Sequence, residues 1–127
     1  MPLTDWRLHD AVLFVQVKDD RTEAGRMTAY GAIADLARAH AVRGLVVEPR
    51  PFDAEHDAPR RLAHHEAVAE LIAASGVSVY LLVWPRACAD ARHHIFAIQR
   101  IGLTARRCSG RDGALALARR LTAEPPR

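Results

Sequence analysis

Histidine and cysteine are the residue types in this sequence best equipped for chemistry. The chain of 127 residues has seven histidines, His9, His40, His56, His64, His65, His93 and His94, and two cysteines, Cys88 and Cys108. A transition-metal site needs neutral imidazoles converging to about 2.0–2.1 Å on one ion. His64-His65 and His93-His94 are adjacent pairs in helical stretches. Helical neighbours point about 100° apart, so each pair can offer a given site only one ligand. Neither HExxH nor His-x3-His spacing occurs. A composite site from His64 or His65, His94 and Glu66 would require the second and third helices to pack side by side. Histidines at the surface and at helix boundaries are the plainer reading, and no metal or cofactor is assigned.

Other reactive arrangements are weaker. There is no G-x-S-x-G elbow, and Ser109 has simpler work as a helix cap. Cys88 follows the fourth strand of the pattern below and Cys108 ends the fifth, which places both near the carboxyl edge of a parallel sheet, where α/β proteins bind ligands. A reactive pair could form there if their Cα atoms approach to about 4.4–6.8 Å; inert buried thiols are commoner. Gly110-Arg111-Asp112-Gly113 precedes a helix whose N-terminus could hold an anion, yet it matches neither nucleotide-binding fingerprint. Asp19-Asp20 after an apolar strand suggests a receiver domain. The position for a phosphoacceptor aspartate reads Glu48-Pro49, however, and the late lysine of such domains is missing. Trp84, Tyr80, Phe96 and Phe52 could line a pocket or a dimer face. Core packing is favoured for Tyr80 and Phe96, whereas Phe52 stands in a polar segment and marks either a partner contact or a fold back onto the core.

The elements that must position these residues alternate. Trp6 to His9 reads as a short first strand, and Asp10 turns the chain into a second, Ala11 to Val17. A helix is expected from about Thr28, its N-cap, to His40, with Ala29, Ile33, Leu36 and His40 in one stripe, and the preceding RTEAGRM is either a loop or an extra turn. Gly44 to Val47 is a short apolar strand of the kind buried in parallel sheets. Glu48 to Asp57, EPRPFDAEHD, is the one substantial polar connection. Asp57 caps the next helix, which has Pro59 in its first turn and ends near Ser75-Gly76. Leu62, Val68, Leu71, Ile72 and Ser75 form its inner face. Val77 to Trp84 is the clearest strand and should be covered on both sides. A helix from Ala87 to Ile101 stops at Gly102, with Ala91, Ile95, Ile98 and Ile101 facing the core. Thr104 to Cys108 is thinly hydrophobic and suits a sheet edge. Ser109 and Asp112 have capping-box spacing before a last helix that offers Ala114, Leu117, Ala118 and Leu121 to the sheet.

The fold class is therefore α/β, β-β-α-β-α-β-α-β-α, with a mostly parallel sheet covered by helices. The length suits one domain over residues 1–127, with a core at about 6–122 and a frayed tail. Composition is ordinary for a globular chain, 50% hydrophobic and 26% charged. Of 18 Lys and Arg only Lys18 is a lysine, the bias expected of a GC-rich bacterial genome. A net charge of +3 spread over separate elements gives no nucleic-acid footprint. The longest apolar run, Val77 to Trp84, is far short of the ~20 residues that span a bilayer. The N-terminal MPLTDWRLHD lacks the apolar core of a signal peptide. Two cysteines form no disulfide framework, so a cytoplasmic protein with reduced thiols is expected.

This order, with the opening hairpin, the RMTAYGAIADLARAH helix, the RGLVVEP strand and the IQRIGLTARRCSGRDGALALARRL ending, resembles the STAS domain of anti-sigma-factor antagonists and sulphate-transporter tails. It resembles the stand-alone SpoIIAA-like proteins more closely still. The resemblance implies a non-enzymatic module that binds a protein partner or a small ligand. Antagonists of this family carry a phosphorylatable Ser or Thr where the helix after the third strand begins. Here EPRPFDAEHDAPRR has no hydroxyl between Glu48 and Arg61, and a phosphorylation switch needs one. Asp53 or Asp57 could at most mimic a fixed charge. The expected contact residues are Arg50, Phe52, Asp53, His56 and Asp57. Self-association through an exposed helix or edge strand is a further expectation. A small enzyme or metal-binding protein using the histidines, or Cys88 with Cys108, is the alternative.

Overall fold

The computed structural model describes residues 3–18, 22–50 and 61–123. Its elements are β1 (Leu3–His9), β2 (Val12–Lys18), α1 (Glu23–Ala39), β3 (Gly44–Arg50), α2 (Leu62–Ala74), β4 (Val79–Val83), α3 (Ala89–Arg100), β5 (Thr104–Cys108) and α4 (Arg111–Ala123). The strands form one five-stranded sheet in the order β1-β2-β3-β4-β5. β1 and β2 are an antiparallel hairpin, and every later pairing is parallel. The α/β class and the element order are those expected from the sequence.

Three successive crossovers between neighbouring parallel strands step across the sheet in one direction, and α1, α2 and α3 share a face. Strand alternation sends Leu13, Val15, Leu45, Val47, Tyr80 and Leu82 to that side, where they meet Ile33, Val68, Ile72 and Ile98. The alternate residues Val12, Phe14, Val46, Leu81 and Val83 point to the other face and are covered by Ala114 and Ala118 of α4. Both faces of the central strands are therefore dry, which is why β4 is continuously apolar. α4 seats closely because Gly44 has no side chain. A Cβ there would stand 2.8 Å from Thr122 Cγ2 and 3.2 Å from Val12 Cγ2. Gly76 and Gly102 end α2 and α3 with φ of 87° and 105°, conformations that glycine adopts freely.

Several local expectations are corrected. α1 starts at Glu23, five residues before Thr28, so the stretch left open between a loop and an extra turn is helical from Glu23. Thr22 is its N-cap and accepts the Gly25 amide at 3.0 Å, while Thr28 lies inside the helix with its hydroxyl on the Ala24 carbonyl. Replacing Thr22 with alanine should lower stability by about 1 kcal/mol, read as a shifted urea midpoint. His40 is exposed at the C-cap, and the buried stripe of α1 includes Tyr30, Ala34 and Ala37 instead. β3 continues through Glu48, Pro49 and Arg50, so the polar connection begins later than expected. α2 begins with Arg61 at its N-cap and no side-chain cap; Asp57 and Pro59 lie outside the described residues. In α4 the Ala114 amide takes the Gly110 carbonyl, which puts Gly110 rather than Ser109 at the cap position. Leu62, Phe96 and Ile101, expected in the core, are exposed. α3 flanks the sheet with only α2 beside it, and so buries a narrow arc. Among the described residues no helix is long and apolar enough to cross a membrane.

Candidate functional site

The carboxyl ends of the parallel strands and the N-termini of the helices that follow them meet along one edge of the sheet. At the end of β3 the strand register places Glu48 beside Gln16 and Arg50 beside Lys18. Residues two apart on a strand share a face, so Glu48 and Arg50 both point toward α4. The Glu48 side chain is fully buried. Arg111, the first residue of α4, donates from Nε to Oε2 at 2.8 Å and from Nη2 to Oε1 at 2.9 Å. Arg50 donates from Nε to Oε1 at 3.1 Å, and the Gln16 amide reaches the same oxygen at 3.5 Å. The Arg111 guanidinium also lies 4.8 Å from the centroid of the Phe14 ring, within cation–π range. One buried carboxylate thus gathers two guanidiniums from separate elements. The Arg111 hydrogen bonds, assisted by Arg50, outweigh burial and hold the Glu48 carboxyl below its usual range. Both arginines keep roughly half of their side-chain surface open to solvent.

The neighbouring helices are fastened at the same edge. Arg61 at the start of α2 grips Glu23 in the first turn of α1 through Nε at 3.2 Å and Nη2 at 2.6 Å. That bidentate contact brings the Glu23 carboxyl down to about 2. Deeper in the helical layer, His65 Nε2 contacts Asp90 Oδ1 at 2.8 Å. His94 Nε2 stands 2.7 Å from the Tyr80 hydroxyl, which is 2.9 Å from that of Tyr30. Burial, reinforced by the Arg26 charge, pushes the His94 imidazole well below its usual value and keeps it neutral. Burial and the adjacent Tyr30 push Tyr80 well above its own. His94 and Tyr80 therefore meet as neutral hydrogen-bonding partners.

These contacts settle where the expected residues stand. Arg50 is at the carboxyl edge, paired with Glu48. Phe52, Asp53, His56 and Asp57 lie outside the described residues. His65 and His94 do come together, with ring centroids 5.9 Å apart, because α2 and α3 pack side by side. The acid that joins them is Asp90 rather than Glu66. Each Nε2 is engaged by a different partner, and among the described residues no group of three or more His, Cys, Asp and Glu side chains could hold a metal ion. His64, His65 and His94 are buried, contrary to the surface expectation. Cys88 and Cys108 are free thiols. They pack against opposite faces of the sheet, Cys88 with the three-helix layer and Cys108 with α4, so they do not form a pair. Cys88 caps α3 by accepting the Ala91 amide at 3.4 Å, and burial pushes the Cys108 thiol up.

Glu48 and Tyr30 were not singled out by sequence reasoning. A lone acid directly after the apolar run Gly44–Val47, in the phase that points into the sheet's second face, was the available signal for Glu48. Tyr30 sits one position from Ala29 in the α1 stripe and carried no distinguishing mark.

No protein-family model matches the chain, and no curated protein matches it. Among solved structures, the NMR structure of the protein TM1081 is similar in fold, with a TM-score of 0.54. The match covers 91% of this chain and 87% of that one at 15% identity, a likeness of fold alone.

Proposed function

We propose that the chain is a non-enzymatic STAS/SpoIIAA-like module that binds a protein partner or a small ligand at the carboxyl edge of its sheet. The contact region is Arg50 together with Phe52, Asp53, His56 and Asp57 on the connection from β3 to α2, and the first turn of α2. The observation that carries this reading is the Glu48–Arg50–Arg111 cluster. It spends a fully buried carboxylate on fixing the end of β3, where that connection begins, and about half of the Arg50 side chain lies at the surface there. The β-β-α-β-α-β-α-β-α order of the chain, the order on which the resemblance rests, supports the module class. Tyr80, His94, His65 and Asp90 are engaged with one another or with Tyr30 inside the helical layer, which favours a structural role for them over turnover. Because no hydroxyl lies between Glu48 and Arg61, binding here is not switched by phosphorylation of that segment.

Replacing residues 51–57 with a Gly-Ser linker tests the proposal. Immobilised wild-type protein should retain its partner from an extract of the source cells, and the linker variant should not, while the two melt at nearly the same temperature. Equal retention by both would reject the carboxyl edge as the contact region.

A further inference from the structure

The outer surface of α2 and α3 is independent of that edge and has a composition of its own. Leu62 and Phe96 are 57% and 55% exposed and Ile101 is 42% exposed. They border a shallow groove floored by Ala69 and Ala97. Scattered single apolar residues at a surface need no explanation, but a contiguous group along two adjacent helices marks a contact face. The charges along this face are sorted by helix. α2 lines the groove with Glu66 and Glu70 and α3 with Arg100, while the exposed Arg92 lies one turn before Phe96 on the same stripe of α3. Among the described residues none of these four makes an ion pair, and the Arg100 guanidinium lies over the Phe96 ring at 5.9 Å.

We infer that this face binds a second copy of the same chain, around a two-fold axis parallel to α2 and α3. The two helices are consecutive crossovers of a parallel sheet, so they run in the same direction, side by side. A two-fold contact is isologous: the same patch must complement itself. An axis across the helices would stack α2 on α2 and oppose Glu66 and Glu70 to their own copies, and like charges at close quarters disfavour that arrangement. An axis along the helices preserves their direction and lays α2 of one copy over α3 of the other. The acidic strip then faces the basic strip twice, while Leu62, Phe96 and Ile101 close the apolar centre between them. Acid on one helix and base on its parallel neighbour makes the patch self-complementary about this axis.

Sedimentation velocity over a wide concentration series tests the assignment. Wild-type protein should pass from the chain mass to twice that mass as concentration rises. Phe96→Glu should remain at the chain mass throughout. The charge-reversed variants E66R/E70R and R92E/R100E should each self-associate about ten-fold more weakly, or worse, equivalent to about 1.4 kcal/mol. An equimolar mixture of those two should dimerise at least as well as wild type, since each introduced arginine then meets an introduced glutamate. All substitutions lie at exposed positions, and a thermal melt of each variant checks that it is folded. A wild-type chain that stays monomeric at every concentration overturns the inference. So does a dimer that survives Phe96→Glu, or charge reversals that leave self-association unchanged.

Discussion

Arg111→Ala should lower the unfolding free energy by about 3 kcal/mol, a large effect for a residue whose side chain is partly open to solvent. The cost arises at Glu48 rather than at the arginine. Glu48 is fully buried, and a buried carboxylate is tolerable only while its charge is met by donors. Arg111 supplies two of those donors with charge-assisted geometry. Its removal leaves Glu48 with Arg50 and a long contact to Gln16. Arg50→Ala should cost less, because the bidentate Arg111 contact survives. Replacing both members, as in Glu48→Met with Arg111→Met, should recover most of the loss, since no unpaired charge then remains in the dry layer. Urea denaturation of wild type and the three variants measures the series. A loss below about 1 kcal/mol for Arg111→Ala would show that water replaces the guanidinium at the edge.

The second large effect concerns pH. His94 is neutral in the folded chain because burial holds its pKa well below the usual value. In the unfolded chain it titrates near 6.5. Below that pH the unfolded state binds a proton that the folded state refuses, so stability falls as the pH drops. The slope approaches about 1.4 kcal/mol per pH unit for one such group. Above about 6.5 the penalty vanishes, since the residue is neutral in both states. Glu48 works in a separate window. Its lowered carboxyl contributes stability above the unfolded value of about 4.3, and that contribution is lost as pH falls through the folded pKa. Unfolding free energies of wild type and His94→Gln, measured from pH 7.5 down to about pH 5, should diverge in slope, with the variant flatter. Parallel slopes would mean that His94 is not the group responsible.

Much of the architecture was legible because it follows from local pattern. β4 reads as a continuous apolar strand, and the structure covers it on both sides. Gly76 and Gly102 read as helix stops and adopt the positive φ that such stops use. β5 reads as a thin edge strand and forms one edge of the sheet. The failures are positional. The first turn of α1 was hidden because Gly25 and Arg26 dilute its periodicity, although Thr22-Glu23 is a sound capping start. The divergence of adjacent helical histidines separates His93 from His94, exposed and buried respectively. It does not separate His64 from His65, both buried, because α2 lies between α1 and α3 over the sheet and so buries a much wider arc than a helix at the flank. Phe96 and Ile101 err the other way for the complementary reason. Of the candidate site, Arg50 could be read from the sequence, whereas the signal for its partner Glu48 is ambiguous there, because the choice between loop and strand at that residue depends on register with β2.

Strand order equals chain order in this sheet, and that has a consequence for how the protein is made. Each strand can pair with its predecessor as soon as it leaves the ribosome, so the sheet grows from one side by successive addition, and its pairings stay comparatively close in sequence. The layer of three helices is completed along the way. The opposite layer is not, because Val12, Phe14, Val46 and Leu81 wait for α4, the last thirteen-residue helix. A nascent or prematurely terminated chain therefore displays an apolar slab on an otherwise paired sheet. α4 is thus the segment whose docking hides from chaperones and proteases a face that they would otherwise recognise.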